Sequence, residues 1–280
     1  MIDYEKTKQF WNESAANVTV GGGQEENAGM LSGSNNYVSH FRRIEEEKTF
    51  LELLPINKTM NILEVGCGGG RWAFFLADKV NQITGIDFSA EMIRLACSIQ
   101  KARNINNVTF IASDLLALDT EEKYDVIYFS GVLQYIDDRD IGISLKKAEK
   151  MLTPGGVVIT RDTVQLNSRV VGDDPTYPVI YRTPAEYDSL FESCRFRLKE
   201  SKSAHSVHRF NGVCNRLANL KMFSFKTVRS IQIMLAWIDD SLGRPKILMR
   251  PAYRKLVAEA GERDHKFAVY FRDEDTSSTQ

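Results

Sequence analysis

A glycine-rich stretch that follows an apolar run is the feature of this sequence that most clearly predicts chemistry. Gly66, Gly68 and Gly70 stand at every second position, and the first of them comes two places after Glu64. Glycines permit positive φ and let the backbone approach a ligand closely, and a helix after the turn presents free N–H groups. A dinucleotide-binding loop would have a third glycine where this chain has Arg71. The stretch therefore predicts a ligand-binding turn of another type.

Two acidic residues follow the next two apolar runs. Asp87 comes directly after Ile83–Ile86, and Asp114 comes shortly after Val108–Ala112. A carboxylate at the end of a strand accepts both hydrogen bonds of a ribose diol, so Asp87 predicts a nucleoside ligand. NAD enzymes use the same acid, so Asp87 alone does not separate the two classes of ligand. Asp114 taken alone is equally well explained as a helix or turn cap.

Taken in order, these features resemble the motifs of class I, Rossmann-like S-adenosylmethionine (SAM)-dependent methyltransferases of the small-molecule type. The glycine stretch resembles motif I, and the acids resemble the second and third motifs. Tyr124–Ile136, which contains Ser130-Gly131, resembles the strand-four motif, and Leu152–Gly156 matches the turn before strand five. The resemblance covers residues 60–161.

The resemblance implies SAM as the cofactor and assigns a role to each motif. The glycine loop would pack against the amino-acid part of SAM, with Glu64 close to its ammonium. Asp87 would hold the ribose hydroxyls, and Asp114 and the backbone N–H of Leu115 would reach the adenine. The Ser130-Gly131 turn would lie beside the sulfonium. The predicted cofactor-binding residues are Glu64, Gly66, Cys67, Gly68, Gly70, Asp87, Phe88, Met92, Asp114, Leu115, Ser130 and Gly131.

Residues near the ends of strands four and five and in the N-terminal segment are the candidates to contact the methyl acceptor. The predicted substrate-binding residues are Tyr37, Gln134, Arg161, Tyr181 and Arg182. Arg161 and Arg182 together would clamp an anionic group; the alternative is that each makes an ordinary ion pair. A base is needed only if the acceptor starts protonated. The candidates for this role are Tyr135, Asp162, His40 and His208.

The activity that best fits these residues is transfer of a methyl group to an oxygen or nitrogen of a small molecule. The acceptor would be a metabolite, sugar or natural-product intermediate, including anionic ones. Ser130-Gly131 stands where many amino-group methyltransferases of DNA and protein carry Asn-Pro-Pro-Tyr, which disfavours a nucleic-acid base as substrate. The alternatives are a protein or RNA substrate, a SAM-binding protein without activity, and an NAD-dependent oxidoreductase.

Alternating apolar strands and amphipathic helices must position these residues. The pattern predicts an α/β fold, a doubly wound and mostly parallel seven-stranded sheet with an N-terminal helical lid and a helical insertion before the last strand. The predicted strands are 61–65, 82–86, 108–112, 124–129, 157–161, 196–200 and 267–271. The predicted helices are 3–16, 41–54, 71–80, 89–103, 141–152 and 183–193. Residues 45–48 are expected on the outer face of the second of these helices, and Ser89 and Thr183 are expected to cap the helices that they begin.

The sequence divides into four segments. Residues 1–54 are N-terminal helices with a glycine-rich stretch, residues 55–204 the SAM-binding α/β core, residues 205–265 the helical insertion, and residues 266–280 the last strand and tail. The glycine-rich stretch fits either a flexible surface loop or a mobile lid. Within the insertion, an apolar helical stripe from Val228 to Leu242 packs either on its own domain or on a second subunit, so a homodimer remains open.

Composition excludes several other classes of protein. The net charge of −1 gives no sign of a nucleic-acid binder. The four cysteines form no CxxC pair and lie at no zinc-ligand spacing, so we expect no metal site and a reducing, cytoplasmic location. The N-terminal segment has no apolar signal region, and the apolar stretch Val228–Ile238 is too short to span a bilayer. We therefore expect no membrane partner.

Overall fold

The computed structural model describes residues 1–16, 18, 36–173, 178–204, 231 and 263–273. Within them, six α-helices and nine β-strands follow one another along the chain. The helices are α1 (Tyr4–Ala16), α2 (Asn36–Leu53), α3 (Arg71–Leu76), α4 (Ala90–Arg103), α5 (Asp138–Met151) and α6 (Pro184–Glu192). The strands are β1 (Asn61–Val65), β2 (Gln82–Asp87), β3 (Val108–Ala112), β4 (Tyr124–Phe129), β5 (Leu152–Gln165), β6 (Val170–Asp173), β7 (Pro178–Tyr181), β8 (Phe196–Ser203) and β9 (Arg263–Arg272).

Seven of these strands form one sheet in the order β3-β2-β1-β4-β5-β9-β8. The strands from β3 to β5 in that order pair in parallel, and β9 runs antiparallel to both β5 and β8. The predicted α/β fold with a mostly parallel seven-stranded sheet is confirmed. The chain order reverses at β1, which lies between β2 and β4. Ligands of open α/β sheets bind in the crevice beyond the carboxyl ends of strands at such a point.

The strands are apolar on both faces because helices cover both sides of the sheet. On one face Leu63, Ile127 and Phe129 belong to a buried cluster that includes Leu145 of α5 and Phe191 of α6. On the other face a second cluster combines strand residues with aromatic side chains of α2 and α3, including Phe50, Ile62, Trp72, Val126, Tyr128 and Phe267. Two packed faces hold the strand ends rigidly, which fixes the turns that follow them.

Capping residues fix where the helices begin and end. The Ser89 side chain accepts a hydrogen bond from Met92 N at the start of α4, and Asn104 ends that helix in the left-handed conformation. Thr183 and Glu186 form a reciprocal capping box at the start of α6, with Pro184 in the first turn. The predicted caps at Ser89 and Thr183 are confirmed. They anchor the chain directly after β2 and β7.

Several predicted bounds differ from the structure. α2 begins at Asn36 rather than Phe41, and α3 ends at Leu76, where a turn bonds the Lys79 N–H to the Leu76 carbonyl. The predicted turn at 154–156 lies inside β5, where Gly155 has φ 75° and the pairing with β4 shifts register. The last strand begins at Arg263, ahead of the predicted boundary at 266, and extends further because it pairs with β5 over nine residues.

A two-stranded hairpin of β6 and β7 was not predicted from the sequence. Its strands are only four residues long each, too short to show an apolar alternation. The glycine-rich stretch, most of the insertion and the tail lie outside the described residues. In the described part of the chain, no helix combines the length and apolar character that a bilayer span requires.

Candidate functional site

A cavity of about 820 Å³ lies at the carboxyl ends of the central strands. Its lining residues include a cofactor side, an acceptor side and part of helix α1. The cofactor side comes from the turns after β1 to β4 and includes Gly66, Gly68, Asp87, Phe88, Met92, Asp114, Leu115, Ser130 and Gly131. The acceptor side is made of Gln134, Tyr135, Arg161, Thr163, Tyr181 and His265. The volume falls in the range of small-molecule sites.

The turn after β1 owes its shape to its glycines. Gly66 and Cys67 donate their N–H groups to the Ile86 carbonyl at 2.8 and 3.0 Å, which ties the turn to β2. Gly66 has φ 77°, and a Cβ built on it would lie 1.9 Å from Cγ1 of Val132. Gly68 has φ 51°, and a Cβ built there would have no heavy atom within 4 Å. The backbone at Gly68 is therefore open to a ligand, whereas Gly66 allows close packing.

Asp87 is held at the end of β2 by two backbone donors. Its Oδ2 accepts from Gly68 N at 3.0 Å, and its Oδ1 accepts from Ser89 N at 2.9 Å. Each oxygen keeps a second lone pair for a ligand hydroxyl. Burial raises the pKa of Asp87 to about 6, although the two backbone N–H groups act in the opposite direction. The carboxylate is thus oriented and ionised at neutral pH.

Glu64 lies just beneath the glycine turn and is only 1% exposed. Among the described residues no donor reaches its carboxyl oxygens with good hydrogen-bond geometry, although the Ser130 hydroxyl and the Ala73 N–H lie near them and act to lower its pKa. Burial raises its pKa to about 8. A buried carboxyl without a well-aligned hydrogen-bond partner is costly unless a ligand donor or cation satisfies it. An ammonium group is the kind of ligand that would do so.

Asp114 and Leu115 continue the cofactor side after β3. The Asp114 side chain accepts from Ala117 N at 2.9 Å, so Asp114 also caps a turn, as the alternative interpretation of this residue held. Ser113 N donates to the Asp87 carbonyl at 3.0 Å, which links this turn to the end of β2. Asp114 is exposed, and Leu115 is buried against the core.

Three predicted cofactor residues, Glu64, Cys67 and Gly70, do not line the cavity. Cys67 is buried beneath the turn, where its Cβ lies 3.1 Å from a Cβ built on Gly85. Gly70 has φ 86°, and a Cβ built there would lie 2.7 Å from the Phe110 ring and 2.8 Å from the Phe74 ring. Cys67 and Gly70 therefore shape the turn, and the structure does not place them against a ligand.

The acceptor side combines residues from four separate segments, one of which is β7 with Tyr181. Gln134 and Tyr135 lie in a short 3₁₀ turn, Leu133–Tyr135, after β4. The Thr163 hydroxyl of β5 lies 3.4 Å from Nδ1 of His265 on the neighbouring β9. Thr163 and His265 were not predicted as site residues. The only available signal was pairing between strands about a hundred residues apart, which a single sequence does not reveal.

Helix α1 covers the cavity, and five of its residues line it: Tyr4, Glu5, Thr7, Lys8 and Trp11. The Trp11 ring packs edge-on against the Tyr135 ring, with centroids 5.8 Å apart. The chain before α1 is anchored to the rest of the protein because Ile2 N donates to both oxygens of the Asp137 carboxylate, at 3.0 and 3.1 Å. The predicted N-terminal helical cover is thus formed by α1.

Arg182 and Asp162 are predicted site residues that the structure places away from the cavity. Arg182 is fully buried and donates to the Leu133 and Ile136 carbonyls at 2.7 and 2.6 Å and to Asp138 Oδ1 at 2.7 Å. The predicted clamp of Arg161 with Arg182 is therefore not formed. Asp162 is buried on the face of β5 opposite to Arg161, and burial raises its pKa to about 7. It does not face the acceptor.

Three further candidates have side chains outside the described residues. Tyr37 and His40 lie in α2, of which only the backbone is described at these positions, and His208 lies in the insertion. Their roles remain predictions. No group of three or more His, Cys, Asp or Glu side chains in the described ranges is arranged to hold a metal ion.

A buried carboxylate that the sequence placed on the surface lies next to the acceptor side. Residues 45–48 were expected on the outer face of α2, but Glu46 is fully buried. Its Oε2 accepts from Nη1 of Arg71 at 2.8 Å, and its Oε1 accepts from Nε and Nη2 of Arg161 at 3.0 and 2.7 Å. The expectation was wrong because Glu46 forms ion pairs inside the protein.

The cofactor side fits SAM in several respects. The hydrogen-bonded Asp87 carboxylate suits a ribose diol, and the open Gly68 allows a ligand to approach the backbone. The buried and weakly hydrogen-bonded Glu64 carboxyl suits an ammonium. These groups follow one another around the carboxyl ends of adjacent strands, as an extended adenosyl amino acid requires.

Comparison with known proteins agrees with this geometry. The methyltransferase domain family matches residues 56–212, more than half of the chain. Phosphoethanolamine N-methyltransferase 1 of Arabidopsis thaliana is 28% identical over 195 residues, which cover 68% of this chain and 37% of that protein. Demethylmenaquinone methyltransferase of Staphylococcus aureus (strain MRSA252) is 29% identical over 157 residues, which cover 55% of this chain and 60% of that protein. The chain thus spans less than two thirds of these relatives.

Solved structures share the fold at low sequence identity. Phosphoethanolamine N-methyltransferase 1 of Haemonchus contortus, in complex with phosphoethanolamine and S-adenosylhomocysteine, has a TM-score of 0.60 at 16% identity, over 98% of this chain and 50% of that chain. A SAM-dependent methyltransferase of Leishmania major has a TM-score of 0.59 at 21% identity, over 72% and 77% of the two chains. The chain belongs to the methyltransferase domain family and has the Rossmann-like fold of class I SAM-dependent methyltransferases.

Proposed function

We propose that this chain transfers the methyl group of SAM to an oxygen or nitrogen atom of a small molecule. The observation that carries the proposal is a single cavity in which a nucleoside-binding turn faces a separate set of polar side chains beneath α1. Its volume of about 820 Å³ must hold both the cofactor and the acceptor, which favours a small acceptor. A protein or RNA substrate would have to reach the same groups past α1.

Bound SAM would supply a methyl group that its positive sulfur already activates. Asp87 would orient the ribose, Glu64 would accept from the ammonium, and Asp114 and Leu115 would contact the adenine. The Ser130-Gly131 turn would lie on the side of the cavity where the acceptor approaches. The main task of the protein is then to align two reactants, and good alignment accounts for roughly 7–11 kcal/mol of barrier reduction. Helix α1 would exclude water that competes as an acceptor.

The acceptor side offers groups that bind and deprotonate a substrate. Tyr135 and His265 are the described cavity residues that suit a base, and Gln134, Arg161, Thr163 and Tyr181 offer polar contacts. Relatives are named for phosphoethanolamine and demethylmenaquinone, so an amine and a quinone ring are both chemistries to test. The charge of the Arg161 guanidinium favours acceptors that carry an anionic group.

We also propose that the reaction takes place in the cytoplasm, without a membrane or nucleic-acid partner. Cys67, Cys97 and Cys194 are free thiols, a state that suits a reducing compartment.

Two experiments test the proposed activity. Calorimetry should detect binding of SAM and of S-adenosylhomocysteine, and NADH should bind far more weakly. Incubation with methyl-labelled SAM and a panel of small amines, phenols and phosphorylated amines should then transfer label to at least one acceptor. Binding without transfer to any panel member or to a metabolite extract would favour a non-catalytic SAM-binding protein. Absence of binding to both adenosyl ligands would refute the proposal.

A further inference from the structure

One edge of the Arg161 guanidinium is hydrogen-bonded to Glu46, and the other edge faces the Ser130-Gly131 turn. Nε and Nη2 both donate to Glu46 Oε1, at 3.0 and 2.7 Å. Nη1 makes no hydrogen bond within the described part of the chain. This nitrogen lies beside the Ser130-Gly131 turn, because a Cβ built on Gly131 would be 3.0 Å from it. The free edge of the guanidinium thus lies at the boundary between the cofactor side and the acceptor side.

The position of the guanidinium depends on a carboxylate that has no contact with solvent. The Glu46 side chain is 0% exposed and the Arg161 side chain 13% exposed. Glu46 also accepts from Arg71 at 2.8 Å, so it is held from both sides. A planar guanidinium bonded along one edge cannot rotate freely, and its remaining N–H groups keep a constant direction. Arg161 lines the cavity, so that direction is toward ligand space.

We propose that Arg161, oriented by Glu46, forms an oxyanion-binding site at the Gly131 turn, in which Nη1 donates to a carboxylate or phosphate oxygen of a bound ligand. The proposal rests on the proposed function, since it names the chemistry that this part of the cavity recognises. Two sources offer such an oxygen. One is the carboxylate of the cofactor's amino-acid part, and the other is an anionic group on the methyl acceptor. Glu46 is a positioning residue in either case.

The test compares ligands that differ only in the anionic group. Binding of S-adenosylhomocysteine and of 5′-methylthioadenosine, which lacks the amino-acid part, is measured by calorimetry for the full chain. The thermal shift caused by inorganic phosphate is measured in the presence of saturating S-adenosylhomocysteine. Arg161→Met removes the charge and the donors while Glu46 stays paired with Arg71. Arg94→Met is the matched control, because the Arg94 side chain is 70% exposed and pairs only with Glu91 on the surface of α4.

Loss of a charge-assisted hydrogen bond is expected to weaken binding roughly tenfold or more. If the cofactor carboxylate is the anion, Arg161→Met lowers the affinity ratio of S-adenosylhomocysteine to 5′-methylthioadenosine by this factor. If the acceptor supplies the anion, the ratio stays constant and the phosphate-induced shift disappears. Both results support the site. The proposal is overturned if Arg161→Met keeps both the wild-type affinity ratio and the wild-type phosphate shift. It is also overturned if the wild-type protein neither prefers S-adenosylhomocysteine to 5′-methylthioadenosine nor shows a thermal shift with phosphate.

Two further variants test the role of Glu46. Glu46→Gln keeps the size of the side chain but weakens its hold on Arg161, and it should reduce the same ratio or shift as Arg161→Met. Arg161→Lys keeps the charge but lacks the planar guanidinium, so it should retain only part of the wild-type affinity ratio or phosphate shift. This variant tests the guanidinium geometry even if Glu46→Gln does not fold. Full recovery with lysine would contradict positioning by Glu46. Failure of these tests leaves methyl transfer by the wild-type chain unaffected, so the two proposals are judged separately.

Discussion

The cofactor side and the acceptor side of the cavity are built in different ways. The cofactor side consists of turns that follow consecutive strands, and backbone N–H groups hold its main carboxylate, Asp87. The acceptor side consists of side chains from β5, β7, β9 and the 3₁₀ turn, held in place by residues that never reach the cavity. Local backbone geometry thus builds the cofactor side, and packing between segments distant in sequence builds the acceptor side. Variants that support the acceptor side should therefore change mainly the free energy of unfolding, whereas variants of the cofactor side should also change the affinity for adenosyl ligands.

The largest expected effect concerns a residue that supports the acceptor side from behind. Arg182→Met removes the hydrogen bonds to the Leu133 and Ile136 carbonyls, which hold the 3₁₀ turn. The Leu133 carbonyl then keeps only its bond from the Ile136 N–H, at 3.3 Å. Because each hydrogen bond from a charged donor contributes roughly 1.5–3 kcal/mol, we expect a loss of about 3–5 kcal/mol in the free energy of unfolding. Affinity for S-adenosylhomocysteine should change little where the protein remains folded. Urea unfolding and calorimetry measure the two quantities.

The matched control for this variant is Arg169→Met. Arg169 also pairs with Asp138, at 2.7 Å, but its side chain is 33% exposed. Exposed ion pairs contribute roughly 0–1 kcal/mol, so the free energy of unfolding should change little. Equal losses for the two arginines would contradict the assignment of Arg182 as a buried structural residue.

The second prediction concerns the backbone of the cofactor side. Gly66→Ala places a methyl group 1.9 Å from Val132 Cγ1 at a residue with φ 77°. Left-handed strain and overpacking together should reduce the free energy of unfolding by roughly 2–5 kcal/mol and should displace the turn that binds the cofactor. Gly155→Ala is the control, because Gly155 has φ 75° but no neighbour within 4 Å of the added carbon. It should cost only about 1–2 kcal/mol and leave S-adenosylhomocysteine binding unchanged.

The same contrast explains what the sequence reveals and what it hides. Gly66, Gly68 and Asp87 were predictable because a strand, a turn and a helix follow one another within a few residues, so spacing alone places them. The caps at Ser89 and Thr183 were predictable for the same reason. Each of these signals is local.

His265, Thr163 and Glu46 were not predictable because their positions depend on contacts between distant segments. His265 meets Thr163 only through the register of β5 with β9. Glu46 lies between two other charged residues of α2, a pattern typical of an exposed helix face, yet two arginines pair with it in the interior. Arg182 shows the converse, since it was predicted to bind the methyl acceptor but its guanidinium bonds the protein itself.

The third prediction uses the pKa of Asp87. Burial raises the pKa of Asp87 from 3.8 to about 6, so the folded chain takes up a proton there as the pH falls below that value. The ionised carboxylate is the form that accepts from ribose hydroxyls, so affinity for 5′-methylthioadenosine, which has no ammonium to affect Glu64, should decline below pH 6, approaching about tenfold per pH unit. Asp87→Asn should bind about tenfold more weakly at pH 7.5 and lose this pH dependence. Asp119→Asn, on the surface, should behave as wild type.

The smallest expected effect is a proton released when the cofactor binds. Burial raises the pKa of Glu64 to about 8, so most molecules carry a protonated Glu64 at pH 7. An ammonium placed beside this carboxyl favours its ionised form and lowers its pKa, so binding should expel a fraction of a proton. Calorimetry of S-adenosylhomocysteine binding at pH 7, in buffers of different ionisation enthalpy, measures that fraction from the slope of the observed heat.

Two controls separate Glu64 from other groups that change protonation. Glu64→Gln should abolish the buffer dependence while the variant still binds the ligand, and 5′-methylthioadenosine, which has no ammonium, should release no proton from the wild-type protein. The release should also vanish as the pH rises above 8, because Glu64 is then ionised before the ligand arrives. A slope that persists in Glu64→Gln would assign the proton to another group. It would also contradict the interpretation that the buried Glu64 carboxyl beneath the glycine turn pairs with the ammonium of the ligand.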